Sequence, residues 1–306
     1  MKLQDLKIEK NAWRHKFGNT YSGRTESGEL KCTVFEYCIP LPTHREKELE
    51  LRYGVQNLSQ YYLNLAVAVQ HQYTIANDLE AANVQSVLQY LDYQTSKNGE
   101  LTKILLATAP VVPLLGSTIT DNLTVRTAIE VTMRLATILR DFRNLDAPVI
   151  HRGLDPDEIY VTQDSKILLG GFLYSATPKQ KQIPDYLPQK PANLTPVLKA
   201  GGVGTQGDDL YSLTAFLWSL LTNSPVGMEL PHPVTIPANT PLALQELIAY
   251  GLSGNAEIMA YRKRLTEIRK MLVQGSLQDA PLTVCRKYSG ILKKVKRLST
   301  EQENGR

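Results

Sequence analysis

Cysteine is scarce in this chain, with three in 306 residues, at Cys32, Cys38 and Cys285. An odd number without metal-ligand spacing argues against a disulfide framework or a zinc site, so the expectation is three reduced, structural thiols. Long apolar runs are lacking as well. No stretch reaches the roughly 18 uncharged apolar residues of a membrane span, and the opening MKLQDLKIEKN alternates in charge without the apolar core of a secretory leader. These absences lead to the expectation of a soluble, cytoplasmic protein. No internal repeat or long low-complexity segment is present. A strong excess of one charge is missing too, since the formal balance is only +4. What the chain does have is a hydrophobic fraction of 42%, ordinary for a globular fold with a sizeable core. It also has one local concentration of charge. RKYSGILKKVKRL, residues 286–298, holds six Lys and Arg and no acid, and that is the electrostatic feature to explain.

Periodicity organises the rest. Residues 16–37 read as two or three short strands with Ser27-Gly28 at a hairpin turn. Within 44–80, Leu58, Tyr61, Tyr62, Leu65 and Val69 recur at helical spacing, which predicts one long helix. VQSVLQYLDYQTS and GELTKILLATAP read as paired strands around Lys97-Asn98-Gly99. After Pro113, a stripe of Val125, Ile129, Ala136, Leu139 and Phe142 predicts a helix starting near 122–124 and stopping before Pro148. Residues 150–175 return to short strands. Residues 176–206 form a Pro-, Lys- and Gly-rich loop of a length that is typically functional or mobile, with Thr177, Tyr186 and Thr195 as candidate modification sites. The segment 208–222 reads as a buried helix, and PLALQELIAYGL and EIMAYRKRLTEIRKMLVQ as two amphipathic ones. Strands first and helices after predict an α+β protein of two lobes.

This order resembles the protein-kinase superfamily, and short motifs fall along it in sequence. His151 to Glu158 resembles the catalytic-loop pattern H-R-D-L-x-x-x-N, with Gly153 and Glu158 in its aspartate and asparagine columns. KILLGGFLYS stands where the family has Asp-Phe-Gly, with Gly171 in the aspartate column. Phe17-Gly18-Asn19-Thr20-Tyr21-Ser22-Gly23 is similar to the end of a glycine-rich loop whose first two glycine columns hold Trp13 and His15. Cys32-Thr33-Val34-Phe35-Glu36 resembles the strand of the phosphate-pairing lysine and places Val34 in that column, while a slip of one or two residues reaches Phe35 or Glu36. The helix glutamate falls near Gln70 or Gln72. Thr195-Pro196-Val197 and Asp209-Leu210-Tyr211-Ser212-Leu213 resemble the Ala-Pro-Glu motif and the start of the buried helix. LLATAPVVPLL and LGGFLYSA are similar to trafficking-associated pseudokinases that carry HEAT repeats, and VFEYCIPL to the degenerate kinase domain of the amino-acid-starvation translation kinase.

The resemblance implies a bilobal kinase-like domain at 1–275, with a β-rich N-lobe of about 1–109 carrying one long helix and a mainly helical C-lobe of about 110–275. Residues 276–306 would be a basic amphipathic tail. It also implies lost chemistry, because phosphoryl transfer rests on a lysine, on magnesium held by Asp and Asn, and on an Asp that orients the attacking hydroxyl. Val34, Gln72, Gly153, Glu158 and Gly171 do not supply that set. No catalytic residue, metal or other cofactor is therefore expected. ATP binding is disfavoured, although Trp13, His15, Gly18, Cys32, Thr108 and Val111 would line a nucleotide pocket. His151 reads as a core histidine and Arg152 as a backbone-bonding or ion-pairing group. Asp155, Asp157 and Glu158 read as a solvated loop, with cation binding as the alternative. The resemblance implies that Asp209 bonds the backbone of the 151–154 loop from the buried helix.

Three functions compete. The first is a catalytically inactive pseudokinase that serves as a scaffold or allosteric regulator for one or more protein partners. The second is an atypical phosphotransferase or nucleotidyltransferase using Glu158, Asp155 and a lysine such as Lys31 or Lys166. The third is an anionic-membrane or nucleic-acid binder acting through 286–298, where Arg286, Lys287, Lys293, Lys294, Lys296 and Arg297 surround an apolar face of Ile291, Leu292, Val295 and Leu298.

Overall fold

The computed structural model describes residues 2–99, 101–177, 187, 191–202, 204–231, 233–238 and 240–284. Tyr186, Cys285 and the whole basic segment 286–298 lie outside them. The chain mixes α and β, with a curled antiparallel sheet formed in its first third. That sheet is built from β1 (Leu6–His15), β2 (Gly18–Thr25), β3 (Lys31–Ile39), β4 (Asp92–Asn98) and β5 (Leu101–Thr108), in the order β1-β2-β3-β5-β4. Gly28, at φ +76°, turns β2 into β3, and Gly99, at φ +60°, turns β4 into β5. Both are turns the sequence marks with glycine. β1 was not anticipated at its full length, because its alternating charges mask a strand that runs ten residues.

Between β3 and β4 lie two helices where the periodicity predicts one, α1 (Thr43–Tyr53) and α2 (Leu58–Ala81). Gly54 ends α1 in the left-handed conformation, its N–H bonded to the carbonyls of Glu50 and Leu49, and the Val55 N–H also returns to Leu49. Asn57 starts α2 by accepting a 3.0 Å bond from the Gln60 N–H. A glycine C-cap followed by an asparagine N-cap is the stop-start signal that the shared apolar spacing hides.

A second antiparallel sheet has the order β6-β7-β8, formed by β6 (Val111–Pro113), β7 (Ile159–Thr162) and β8 (Ile167–Leu169). The remainder is helical, with α3 (Thr118–Asp121), α4 (Val125–Arg143), α5 (Pro196–Lys199), α6 (Gln206–Leu221), α7 (Leu242–Gly251) and α8 (Ile258–Gln274). Thr124 caps α4 by accepting from the Thr127 N–H, and all five residues of the stripe read from the sequence are buried. α6 is buried from Gly207 to Leu220 and opens with a capping box between Thr205 and Asp208. It packs against α4 and α7, while α8 lies along α4.

One core cluster runs from Trp13, Phe35 and Tyr37 of the large sheet through α2 and β7 to Leu265 and Leu272 of α8. The opposite face of the large sheet has its own small cluster of Leu3, Cys32, Val34 and Ala107. No helix among the described residues is long and apolar enough to cross a membrane.

Candidate functional site

The site grows from the alternation of β3. Successive side chains of a strand point to opposite faces, so Thr33, Phe35 and Tyr37 share one face, and Cys32, Val34 and Glu36 share the other. Phe35 and Tyr37 belong to the main core with α2, whereas Val34 belongs to the cluster on the far side. The column facing α2 is therefore Phe35, one residue beyond Val34, and the buried Val34 points away from it. Cys32, expected beside a nucleotide, shares that outer face, where burial pushes its thiol up to about 11.

Aromatic rings fill the space around Phe35. Tyr160 of β7 approaches edge-on at 5.6 Å, Trp13 at 6.2 Å and Tyr90 at 6.4 Å. His15 sits 4.7 Å from Tyr37. Its Nε2 lies 3.0 Å from the Glu36 carbonyl, and its Nδ1 accepts from the Phe17 N–H at 3.3 Å. Those two contacts describe a neutral ring with its proton on Nε2, and burial accordingly lowers its pKa to about 4. Gly18 brings β2 so close to β3 that a Cβ there would meet the Glu36 carbonyl oxygen at 1.8 Å.

From α2, the buried Gln72 donates to the hydroxyls of Tyr37 at 3.0 Å and Tyr90 at 2.8 Å. Gln70 is exposed, so of the two candidates only Gln72 faces β3. Thr108 is buried at the end of β5, its hydroxyl on the Ala109 carbonyl. The Val111 N–H is taken by the Thr33 hydroxyl at 3.1 Å. Of the pocket candidates, Trp13, His15, Gly18, Thr108 and Val111 are thus engaged in packing or hydrogen bonding within the fold.

Beneath this cluster runs the 151–158 loop. Asp209 of α6 accepts from the backbone N–H of His151 at 2.9 Å and of Arg152 at 2.8 Å. Burial first, then neighbouring Asp208, raises its carboxyl to about 7 against the pull of those two donors. His151 Nε2 donates to the Gly170 carbonyl at 2.7 Å, and burial lowers its pKa to about 4. The backbone of His151 and Arg152 and the His151 Nε2 are thus held within the fold, whereas His151 Nδ1 and the Nε and Nη1 of the buried Arg152 have no hydrogen-bond partner among the described residues. Gly153 lies against Pro191, whose Cγ would stand 2.3 Å from an added Cβ.

Glu158 and Gly171 meet directly. Gly171 is left-handed at φ +76°, and a Cβ there would meet Glu158 Cγ at 2.6 Å and Cβ at 2.7 Å. The Glu158 carboxylate accepts from the Tyr160 hydroxyl at 2.8 Å. Burial, with Asp155 and Asp157 adding to it, raises Glu158 to about 8. The lysine that opposes this shift is Lys16 of the β1–β2 turn, rather than Lys31 or Lys166. Lys16 lies 5.6 Å from the Phe17 ring and 5.9 Å from the Tyr174 ring. Burial lowers its pKa while Asp155, Glu158 and Asp157 hold it up. Lys166 is exposed and pairs with Asp164 at 2.8 Å.

Tyr37, Tyr90, Tyr160, Tyr174 and Lys16 are the residues that sequence reasoning missed, while Phe35 was reached there only as a one-residue slip from Val34. The alternation Thr33-Phe35-Tyr37 was the available signal. Among the described residues, no group of three or more His, Cys, Asp or Glu is placed to hold a metal ion. No protein-family model matches the chain, and no curated protein matches it.

Proposed function

We propose that this chain is a catalytically inactive member of the protein-kinase-like superfamily that acts as a protein-binding scaffold or allosteric partner. The sheet and α2 would be its N-lobe and the helices from α4 onward its C-lobe. Supporting the kinship are the order of elements, the position of α2 beside β3, and the Asp209 carboxylate that holds the His151-Arg152 backbone from a buried helix. The observation that carries the loss of activity is Glu158 packed against Gly171. In this reading, the column of the metal-binding aspartate is a left-handed glycine whose side-chain space is already filled by the residue in the asparagine column. The lysine column is an aromatic ring wedged between Trp13, Tyr90 and Tyr160. Phosphoryl transfer is positioning and charge neutralisation, and this cleft provides hydrophobic packing instead.

The test is a thermal-unfolding titration of the intact chain with ATP, with and without Mg²⁺ or Mn²⁺. Ligand at about 100 times its Kd stabilises a folded state by about 2.7 kcal/mol, or several degrees. No metal-dependent shift is expected. A reproducible shift of several degrees would overturn the reading and favour a rearranged phosphotransferase site around Lys16, Asp155 and Glu158.

A further inference from the structure

From Gly54 to Asn77 the chain has no Asp, Glu, Lys or Arg, although these make up 21% of all residues. A stretch of this length would carry about five at an ordinary charged fraction. The inward face of α2 accounts for part of this, since Tyr61, Leu65, Val69, Gln72 and Ile75 are buried against the sheet and the 172–174 turn. It does not account for the outward face. Ser59, Gln60, Leu63, Val67, Gln70 and Thr74 are all exposed, Leu63 at 63% and Val67 at 52%. Other exposed helix faces here are charged in the ordinary way, as with Lys47, Glu50 and Arg52 on α1 or Lys263, Glu267 and Lys270 on α8. Depletion of charge around exposed aliphatic side chains distinguishes the centre of an interface from general surface.

We propose that the outward face of α2 is a self-association surface, on which α2 of a second copy packs antiparallel across a two-fold axis. Gln60, Leu63, Val67, Gln70 and Thr74 follow the alternating three-four spacing of a helix-pairing seam. A neutral face is complemented by another neutral face, because a charged partner would lose hydration without gaining an ion pair. Among the exposed helix faces compared above, the one that meets this condition is α2 itself, and two copies of it meet without charge repulsion. With the axis midway between Leu63 and Val67, Leu63 of one copy packs against Val67 of the other. One helix face per copy falls in the class of interfaces below about 1,200 Å² in total, which sets a weak, reversible dimer. This inference does not depend on the kinase-like reading.

The experiment is sedimentation equilibrium of the intact chain up to about 100 μM, a range that brackets micromolar dimers. A monomer–dimer equilibrium is expected. Leu63→Glu with Val67→Glu should weaken it at least about 100-fold by burying unpaired carboxylates, with the far-UV circular dichroism and melting temperature of the monomer retained because both sites are exposed. Leu51→Glu, at another exposed leucine, should leave the dimer intact. A wild-type chain that stays monomeric throughout, or a dimer indifferent to the double variant, would overturn the proposal. Orientation is read by oxidative cross-linking. A Gln60→Cys chain should cross-link to a Gln70→Cys chain in preference to itself, and efficient self-linking at position 60 would overturn the antiparallel arrangement.

Discussion

At the scale of single residues, the Glu158–Gly171 contact ties two positions that would be read separately in the sequence. A left-handed glycine accepts a neighbour where a side chain would stand, and Glu158 uses that room to place its carboxyl on the Tyr160 hydroxyl. Its pKa of about 8 against an ordinary 4.5 has a definite consequence for stability. Between those values the folded state keeps a proton that the unfolded chain has released, so this group makes stability fall as pH rises from about 4.5 through about 8. His15 and His151, lowered to about 4 from 6.5, act in the opposite sense. They remove stability as pH falls from about 6.5 toward about 4. Glu158→Gln keeps the site neutral at every pH. Its stability relative to the wild type should increase between pH 5 and pH 8.5 in urea denaturation, and a difference constant with pH would show that the carboxyl titrates normally.

The behaviour of β3 is decided at the scale of the element. Alternation gives the strand two apolar faces, one against α2 and one under the first turn of the chain, so each of its central residues is buried. Placing a lysine at the inward column should therefore not rebuild a phosphate site. Phe35→Lys is expected to cost about 3 kcal/mol or more, through the lost aromatic packing and the buried charge, with no nucleotide-dependent stabilisation of what remains folded. Chemical denaturation with and without ATP reads both quantities. The α1–α2 break belongs to the same scale. Gly54 and Asn57 are stop and start signals present in the sequence, and the single-helix expectation fails because these caps satisfy helix-end backbone groups and break a chain whose apolar spacing is continuous.

On the scale of the whole molecule, the sheet and the helices share one core, since Phe35 of β3 packs directly on Tyr160 of β7 and the cluster continues to α8. Two bodies joined by such contacts should not melt separately. Trp13 reports on the sheet and Trp218 on α6, so single-tryptophan variants, Trp218→Phe and Trp13→Phe, should give coincident urea transitions. Midpoints that separate would show that the aromatic contact between the two parts contributes little. The same continuity links the outward face of α2 to the aromatic cluster around Phe35, because α2 also carries Gln72 to Tyr37 and Tyr90 and packs on the 172–174 turn.

Much of the architecture was legible from residue order alone. The stripe on α4, the apolar run of α6 and the glycines turning the hairpins depend on short-range periodicity, capping and turn chemistry, which the linear chain carries in full, whereas the backbone-holding role of Asp209 reaches across 57 and 58 residues and was legible only through the family resemblance. The identities at Gly153, Gly171 and Glu158 are likewise sequence facts. Only the tertiary structure decided that Phe35 rather than Val34 faces α2, that Tyr160 closes on it from another sheet, and that Lys16 rather than Lys31 or Lys166 stands by the acidic triplet. Each of these depends on which face of an element is covered and by what. That choice is made by long-range packing and desolvation, which no local pattern encodes.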